Sequence, residues 1–261
     1  MSLRPSIALR NALMEGSDFL HAMSNCFMKV YTGAQPATPE AAPTGTLLVT
    51  YSAAGGTPTR EVLATGGVDI TAGTSGGVAT VTLDGNEIMG SATAWITSHA
   101  VTAGLVADKI NANPANRLVV ATVATNEIVL TAKPGLGAVA NGMVVASTVS
   151  GDVLTTDTNL GSDISGVTAL NGLLWGDAAA NVIAKSLAQV WQGTAAAAGT
   201  AGWFRIEAAV ADALGVDSTE SILRLDGSVS TSGADLNMGS TTIAISSVQT
   251  ISSFTITFPS A

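Results

Sequence analysis

The last residues of the chain alternate strictly between apolar and polar side chains. Phe254, Ile256 and Phe258 share one parity, and Thr255 and Thr257 share the other. A period of two with threonine on one side is typical of a β-strand that is buried on one face and solvated on the other. The tract before it reads as further strands joined by polar turns. The sequence therefore predicts a packed β-domain that includes the last strands of the chain.

Small and β-branched residues make up most of the composition. Of 261 residues, 28 are glycine, while 11% are charged and 4% are aromatic. An ordinary domain carries roughly 25% charged residues. This composition favours sheets with tight turns, and the sparse charge favours burial of surface against other subunits. The length suits one large or two small domains.

Charge and cysteine content exclude several classes of protein. The net charge is -9 and the ten basic residues are scattered, so we expect neither direct nucleic-acid binding nor a basic membrane-surface helix. No apolar run approaches the roughly 18 residues of a membrane span, and no signal-peptide core is recognisable. Cys26 is the only cysteine, which excludes an internal disulfide and a thiolate metal cluster. We expect its thiol to be a small buried apolar group.

The first 60 residues predict a helix, two strands and a loop. The helix covers residues 3–15, with Pro5 in its first turn, an apolar stripe and Gly16 at its end; the stripe is Leu3, Ile7, Leu13 and Met14. An arm that docks on a neighbour is the alternative for this segment. Strands are predicted at 27–31 and 46–51. The tract 35–44 holds three prolines and is predicted to be an extended loop.

The next hundred residues predict a small α+β module. Strand 78–83 turns at Asp84-Gly85-Asn86 and returns over 87–89. A helix over 98–112 ends at Asn113-Pro114 and buries one face, formed by Ala103, Val106, Ala107 and Ile110. Val101 and Leu105 lie off that face and indicate a second contact surface. Strands follow at 118–123, 127–131 and 143–149, which gives a ββαβββ module over 61–162.

The rest of the chain returns to strands and glycine turns. We predict strands at 186–191, 201–209 and 222–229, a single helical turn within 177–184 and a loop at the alanine run 195–198. The predicted fold is mainly β: a β-sandwich or jelly-roll-like domain formed by 1–60 and 163–261. The α+β module of 61–162 is inserted at a loop, where added residues cost little closure entropy.

Two parts of the chain resemble structural proteins of tailed bacteriophages. The outer domain resembles a family of virion-associated phage proteins, mostly of unknown role, in the tracts 30–37, 44–48, 199–205, 226–229 and 231–237. The insert is similar to a small module of Mu-like contractile tail sheaths in the tracts 79–85, 103–112, 128–133 and 135–141. The sheath's other domains are missing here, so a sheath assignment does not follow.

The resemblance implies a non-enzymatic virion component that is made in a bacterial cytoplasm. Its implied partners are other virion proteins, namely capsid, portal, neck or tail subunits, together with further copies of the chain. Capsid decoration and a neck or collar position are the favoured roles, and a tail or baseplate position or a host-glycan adhesin are the alternatives. Residues 1–25 and 35–45 are the candidate contact elements, because extended arms add strands to neighbours.

We expect no catalytic, cofactor-binding or metal-ligating residues. The histidines are His21, expected to pack locally, and His99, expected to face solvent or to lie near the helix cap; they show no metal-ligand spacing. The tract 73–77 matches G-x-S-x-G but precedes a strand, whereas a nucleophile elbow runs from strand into helix. It also lacks the Gly-Lys-Ser/Thr ending of a phosphate loop.

The carboxylates and tryptophans leave alternatives open. Two groups of acidic residues could cleave a glycosidic bond or bind calcium through loop oxygens, although residues of solvated turns are the favoured interpretation. The first group is Asp152, Asp157 and Asp163, and the second is Asp212, Asp217 and Glu220. Trp175, Trp191 and Trp203 are expected in a core or a subunit contact, with a sugar-stacking platform as the alternative.

Overall fold

A computed structural model describes residues 3–14 and 18–257, apart from the side chain of His21. The fold is mainly β, as predicted, with 42% strand, 12% helix and several antiparallel sheets. The chain is divided into two compact units. The first unit contains the residues up to Arg60 and those from Ala169 onward, and the second contains Glu61–Thr168.

The N-terminal part of the first unit, up to Arg60, contains β1 (Arg4–Pro5), α1 (Ile7–Met14), α2 (Phe19–Ala22), β2 (Phe27–Thr32) and β3 (Leu47–Ala53). The second unit contains β4 (Thr65–Ala72), β5 (Gly76–Leu83), β6 (Asn86–Glu87), β7 (Thr93–Ala94), α3 (His99–Ala112), β8 (Val119–Ala124), β9 (Glu127–Ala132), β10 (Val145–Gly151) and β11 (Leu154–Thr158), with a 3-10 turn at Gly137–Ala140. The first unit resumes with β12 (Val182–Ala184), β13 (Trp191–Thr194), β14 (Gly199–Glu207), β15 (Arg224–Ser230), β16 (Leu236–Asn237), β17 (Thr242–Ile243), β18 (Val248–Ile251) and β19 (Thr255–Thr257).

The second boundary between the units lies after Thr168 and not after Ser162, where the sequence placed it. Residues 163–168 stay with the second unit because Val62 pairs with Val167 and Thr65 pairs with Ile164 through backbone bridges. In the first unit, Thr59 and Leu170 form a bridge of the same kind. The two ends of the first unit's interrupted chain therefore lie side by side.

A nine-stranded sheet forms the first unit. Its strands follow the order β1-β15-β14-β2-β3-β13-β18. In addition, β16 pairs with β15, and β17 pairs with β14. A separate two-stranded sheet is formed by β12 and β19. One face of the sheet carries the apolar core, to which α1, α2, β12 and β19 also contribute; the core includes Leu9, Met23, Met28, Val30, Tyr51, Trp191, Phe204, Phe254 and Ile256. These side chains alternate along their strands, as a period of two requires.

The N-terminal helix is shorter than predicted. It begins at Ile7 because Arg4 and Pro5 pair with β15, so Pro5 is not in a helical turn. The predicted apolar stripe is confirmed in part, because Leu3 and Leu13 pack against the core, but Ala8 and Leu9 are the buried residues of α1 and Met14 is exposed. The predicted end at Gly16 lies outside the described residues.

Later predictions for the first unit are confirmed in part. Phe254 and Ile256 are buried while Thr255 and Thr257 are exposed, which confirms the terminal alternation; Phe258 lies outside the described residues. The alanine run is a loop, as predicted. The prediction of a helical turn at 177–184 is wrong. Ala179 and Val182 form a backbone bridge, and the tight turn between them has positive φ at Ala180 and Asn181. The strand predicted at 186–191 begins only at Trp191, because residues 186–189 form a turn.

In the second unit, α3 packs on two four-stranded sheets. Their strand orders are β11-β4-β9-β8 and β10-β5-β6, with β7 also paired to β5. The predicted helix face is confirmed, because Ala103, Val106, Ala107 and Ile110 are all buried. The Ser98 hydroxyl caps the helix by accepting the Val101 N–H at 3.2 Å.

The turn at Asp84-Gly85 is confirmed, with φ of 48° and 78° as a tight hairpin of this kind requires. The returning strand is only Asn86–Glu87. It ends there because the Glu87 carboxylate accepts the N–H groups of Met89 and Gly90 at 2.7 and 3.1 Å, which turns the chain.

Three strands of the second unit, β4, β7 and β11, were missed. The sequence placed Gly66 and Gly67 at an entry segment leading into the module, but both lie inside β4, where a Cβ would come within 2.5 Å of neighbouring backbone oxygens. The glycines permit close approach of the neighbouring chain. The predicted ββαβββ order is thus incomplete at both ends.

Side-chain amides close the free edge of β8. The Asn116 amide accepts the Val119 N–H at 3.3 Å and donates to the Val119 carbonyl at 2.9 Å. Asn111 makes the same pair of bonds to Ala121, at 2.9 and 2.8 Å. Each asparagine thus occupies backbone groups that an added strand would need. On β10, Asn159 and Asp157 likewise accept the outward N–H groups of Val145 and Ser147.

Asn116→Ala is expected to lower the free energy of unfolding by about 1–3 kcal/mol, because it removes the partner of the buried N–H and carbonyl groups of Val119. Urea denaturation measures the change. Asn126→Ala, at a half-buried turn, is the matched control and should cost less than about 0.5 kcal/mol. Equal losses for the two variants would contradict this account of Asn116.

Candidate functional site

The second face of the nine-stranded sheet is charged and buried. Cross-strand register places Lys29 opposite Arg205, Arg205 opposite Asp226, and Glu207 opposite Arg224. All four of the central groups are fully buried, namely Arg205, Glu207, Arg224 and Asp226. We call Lys29 and these four residues the arginine face. Alternation along β14 and β15 turns them all to the side opposite the apolar core.

Arg205 and Asp226 form the central ion pair of the arginine face. The guanidinium donates through Nε and Nη2 to the two carboxylate oxygens, both at 2.7 Å. Its Nη1 donates to the carbonyl of Ala41 at 3.0 Å. Burial raises the pKa of Asp226 even beside the guanidinium, so the pair depends on both charges being present together.

Arg224 forms a second ion pair, with Asp212, and also binds backbone carbonyls of two loops. It donates to both Asp212 oxygens at 2.7 and 2.6 Å, to the Pro39 carbonyl at 3.0 Å and to the Gly215 carbonyl at 3.1 Å. Burial pushes the pKa of Asp212 upward, but hydrogen bonds from Arg224 and Leu214 outweigh it, so the pKa is lowered overall. The carboxylate therefore stays charged at neutral pH.

The Glu207 carboxylate, on the same face of the sheet, forms ion pairs with two cations. Lys29 Nζ lies 2.9 Å from Oε2, and Arg60 donates to the same oxygen. The Arg60 guanidinium also lies over the Phe27 ring, 4.6 Å from its centroid. Among the described residues, no group donates a hydrogen bond to the buried Oε1 of Glu207. Two cations thus share one carboxylate oxygen at this position.

The proline-rich loop is fastened over this face. Besides Arg205 and Arg224, Arg4 donates to the carbonyls of Pro36 and Ala37 at 2.8 and 2.9 Å. The Trp203 indole donates to Thr44 at 3.2 Å. The loop has neither helix nor strand, as predicted, but it is not an extended arm. Both candidate contact elements, 1–25 and 35–45, contact their own unit, the first through Leu9 and Met23 in the core and the second through the carbonyls of Pro39 and Ala41.

The two predicted acidic groups do not converge on a site. Asp152 accepts hydrogen bonds from Thr74 and Ser75, and Asp157 accepts two from Ser147. In the other group, Asp212 binds Arg224 while Asp217 accepts the Ile222 N–H at 2.8 Å. Among residues 3–14 and 18–257, no three histidine, cysteine or acidic side chains are grouped as metal ligands.

The G-x-S-x-G tract is a turn that leads into β5. The Ser75 hydroxyl donates to Asp152 at 2.9 Å, and the Thr74 and Ser75 N–H groups donate to the same oxygen at 3.0 and 2.6 Å. His99 Nε2 lies 2.9 Å from the carbonyl oxygen of Gly73. Ser75 is thus engaged by a carboxylate and not by an imidazole base, so the arrangement fixes the turn.

Trp191 belongs to the apolar core of the first unit and Trp175 packs against it, whereas Trp203 lies on the other face of the sheet, on the same side of β14 as Arg205. Trp191 and Trp203 are fully buried, and Trp203 stacks on Tyr31 with ring centroids 4.6 Å apart. Trp175 is half-buried, packs edge-on against Trp191 and donates to the Met23 carbonyl at 3.0 Å. Buried rings offer no face to a sugar, so the positions favour packing over a stacking platform.

Exposed aliphatic side chains cluster on two adjacent segments of the first unit. Leu174 and Ser186 share a backbone hydrogen bond of 2.9 Å, which brings segments 170–174 and 186–190 alongside each other. These segments expose Leu170, Leu174, Leu187 and Val190, which we call the Leu187 patch. Leu187 is 95% exposed, although burying a leucine side chain is worth roughly 1.5–3 kcal/mol.

A hollow in the second unit is small for a ligand pocket. It has a volume of about 230 Å³ and is lined by Met89, Gly90, Ser91, Lys109, Ala112 and Asn113. Typical ligand pockets measure about 300–1,000 Å³. Lys109 spans the hollow by donating to the backbone carbonyls of Ser91 and Ala92. The apolar surface of the molecule is therefore a stronger candidate than this hollow.

Comparison of the chain with protein-family models, curated proteins and solved structures finds no match in any of the three. Among the described residues, no helix has the length and hydropathy to cross a membrane.

Arg205→Met is expected to lower the free energy of unfolding by about 3–5 kcal/mol, because it leaves Asp226 charged and buried without its cation. The double variant Arg205→Met with Asp226→Leu should recover a large part of that loss, since neither charge then remains. Denaturant unfolding of the two variants measures the difference. An equal or larger loss in the double variant would show that packing, not charge, dominates this pair.

The Asp152 carboxyl should titrate well below an ordinary aspartate. Hydrogen bonds from the Ser75 hydroxyl and from the backbone of residues 74 and 75 lower its pKa to about 2. A lowered pKa means that the carboxylate stabilises the folded state above about pH 4, and that this contribution is lost as the pH falls toward 2. NMR titration of Ser75→Ala should show a higher midpoint, with Ser162→Ala as the control. An unshifted midpoint in Ser75→Ala would refute this cause.

Proposed function

We propose that the chain is a non-enzymatic structural component of a tailed-phage virion, serving as capsid decoration or as a neck or collar protein. It docks in many copies through protein–protein contacts. The proposal is supported by the resemblance of both units to virion proteins and by the Leu187 patch, which is the observation that carries it. The patch provides apolar area that only a partner can bury.

The distribution of charge supports a mechanical role. Side chains that carry general acid–base chemistry in enzymes are here engaged in structure: the arginine face holds a loop, and Asp152 holds a turn. Interfaces of standard size bury about 1,600 Å². Virion symmetry repeats each contact, so a modest patch on each copy stiffens the whole particle.

A tail or baseplate position is the second candidate, and one observation favours it. Val101 and Leu105 are exposed on α3, outside the buried helix face. They lie one helical turn apart and therefore form an apolar strip on the unit that resembles a sheath module. A contact through α3 would place the insert between neighbouring tail subunits.

The location of the protein can be tested on intact particles. Mass spectrometry of purified virions should detect the chain, and immunogold labelling should place it at the head or neck. Gold confined to the tail would favour the second candidate. Absence of the chain from virions would refute both.

Leu187→Glu combined with Val190→Glu should abolish incorporation into particles while leaving the folding of the first unit intact, since both side chains are exposed. Val216→Glu is the matched control, because Val216 is a 71% exposed aliphatic residue on another loop. Quantitative mass spectrometry of particles assembled with each variant measures incorporation. We expect at least a tenfold loss for the double variant. Normal incorporation of the double variant would exclude the Leu187 patch as the docking surface.

A further inference from the structure

Strand β18 lies at the edge of the nine-stranded sheet, and among residues 3–14 and 18–257 it pairs only with β13. The Ala195 N–H donates to the Ser247 carbonyl at 2.9 Å, and Gly193 lies opposite Gln249. In an antiparallel ladder, hydrogen-bonded positions alternate with non-bonded ones. The backbone N–H and C=O groups of Val248 and Thr250 therefore point away from β13.

These outward groups have no partner among the described residues. Val248 is 59% exposed and Thr250 is exposed as well. Proteins usually protect such an edge with a charge, a proline or a covering side chain. In this chain, β8 is covered by Asn111 and Asn116, and β1 at the opposite edge contains Pro5. Strand β18 has none of these devices.

We infer that β18 is an interface for strand addition, and that its occupant is the β18 strand of a second copy of this chain, paired antiparallel about a two-fold axis. In that register Val248 lies opposite the partner's Thr250, and Thr250 lies opposite the partner's Val248. Each pair exchanges two hydrogen bonds, so all four outward groups of each strand are satisfied. The two sheets then form one continuous sheet.

Charge favours a second copy as the occupant. The chain has a net charge of -9, so most of its surface repels another copy. The tract 236–257 contains no ionisable side chain, and β18 lies within it. Two copies can therefore meet edge to edge there without opposing like charges.

The side chains also suit a symmetric pair. Val248 and Thr250 share one side of the strand, and both are β-branched, a type that packs well across paired strands. The same two residues satisfy the pairing from either copy, which is the self-complementarity that a two-fold interface requires. This inference depends on one strand's backbone, so it holds or fails separately from the virion proposal.

A cysteine at the predicted axis tests the register. Gln249 would face the partner's Gln249 in a non-bonded pair, with Cα atoms about 4.5 Å apart, within the range of a disulfide. Gln249→Cys should form a disulfide-linked dimer under mild oxidation, visible on a non-reducing gel. The native Cys26 does not compete, because it is fully buried and burial raises the pKa of its thiol to about 12.

Thr122→Cys is the matched control, since Thr122 is an exposed residue of β8, the edge that asparagine amides occupy. We expect it to form no disulfide-linked dimer under the same oxidation, because its cysteine lies away from β18. A Gln249→Cys sample with no more dimer than Thr122→Cys would overturn the inference.

Thr250→Pro tests the hydrogen bonds. Proline removes only an outward N–H, so the ladder to β13 is kept and the fold should survive. Sedimentation equilibrium should show the dimer mass for the wild-type chain and a dissociation constant at least tenfold higher for the variant. Val248→Lys, which places a charge on the edge, should raise the dissociation constant in the same way. It replaces the proline variant in the test if that variant does not fold. Wild-type protein that stays monomeric, or variants that dimerise equally well, would refute the interface.

Discussion

The pairing of buried charges on the arginine face determines the architecture of the first unit. An arginine or a carboxylate can be buried only when its charge is matched and its hydrogen bonds are made. Arg205 and Arg224 meet this condition by binding Asp226, Asp212 and the carbonyls of the proline-rich loop. The sheet therefore has an apolar core on one face and a layer of ion pairs under a fixed loop on the other.

The edges of the sheets are treated in different ways. In the second unit, side-chain amides and carboxylates take the place of a missing strand along β8 and β10. In the first unit, the outward backbone groups of β18 have no partner within the described part of the chain, and the Leu187 patch leaves aliphatic side chains in water. Unprotected edges and apolar surface are costly unless a partner covers them, and this cost is the physical basis of the docking proposals above.

Sequence reasoning recovered the features that depend on neighbouring residues. Helix α3, its buried face and the final alternation all follow from spacing within a few residues. Strand β4 was missed because the sequence placed Gly66 and Gly67 at an entry segment, and only contact with a neighbouring strand explains them. The arginine face was missed for the same reason, since Arg224 and Pro39 are far apart in the chain. The alternation of Arg205 with Glu207, and of Arg224 with Asp226, was the available signal. The sequence indicated an assembling protein, but the positions of the open edge and of the patch required coordinates.

The bridge between Thr59 and Leu170 bears on how such a chain can evolve. These residues exchange two backbone hydrogen bonds of 3.1 Å where the outer unit is interrupted. The cut ends of that unit are already held together without the hundred or so residues between them. A gene could therefore lose this segment, or receive a different one in its place, by recombination at a single point. Related chains could then share the same outer unit and differ in the inserted one.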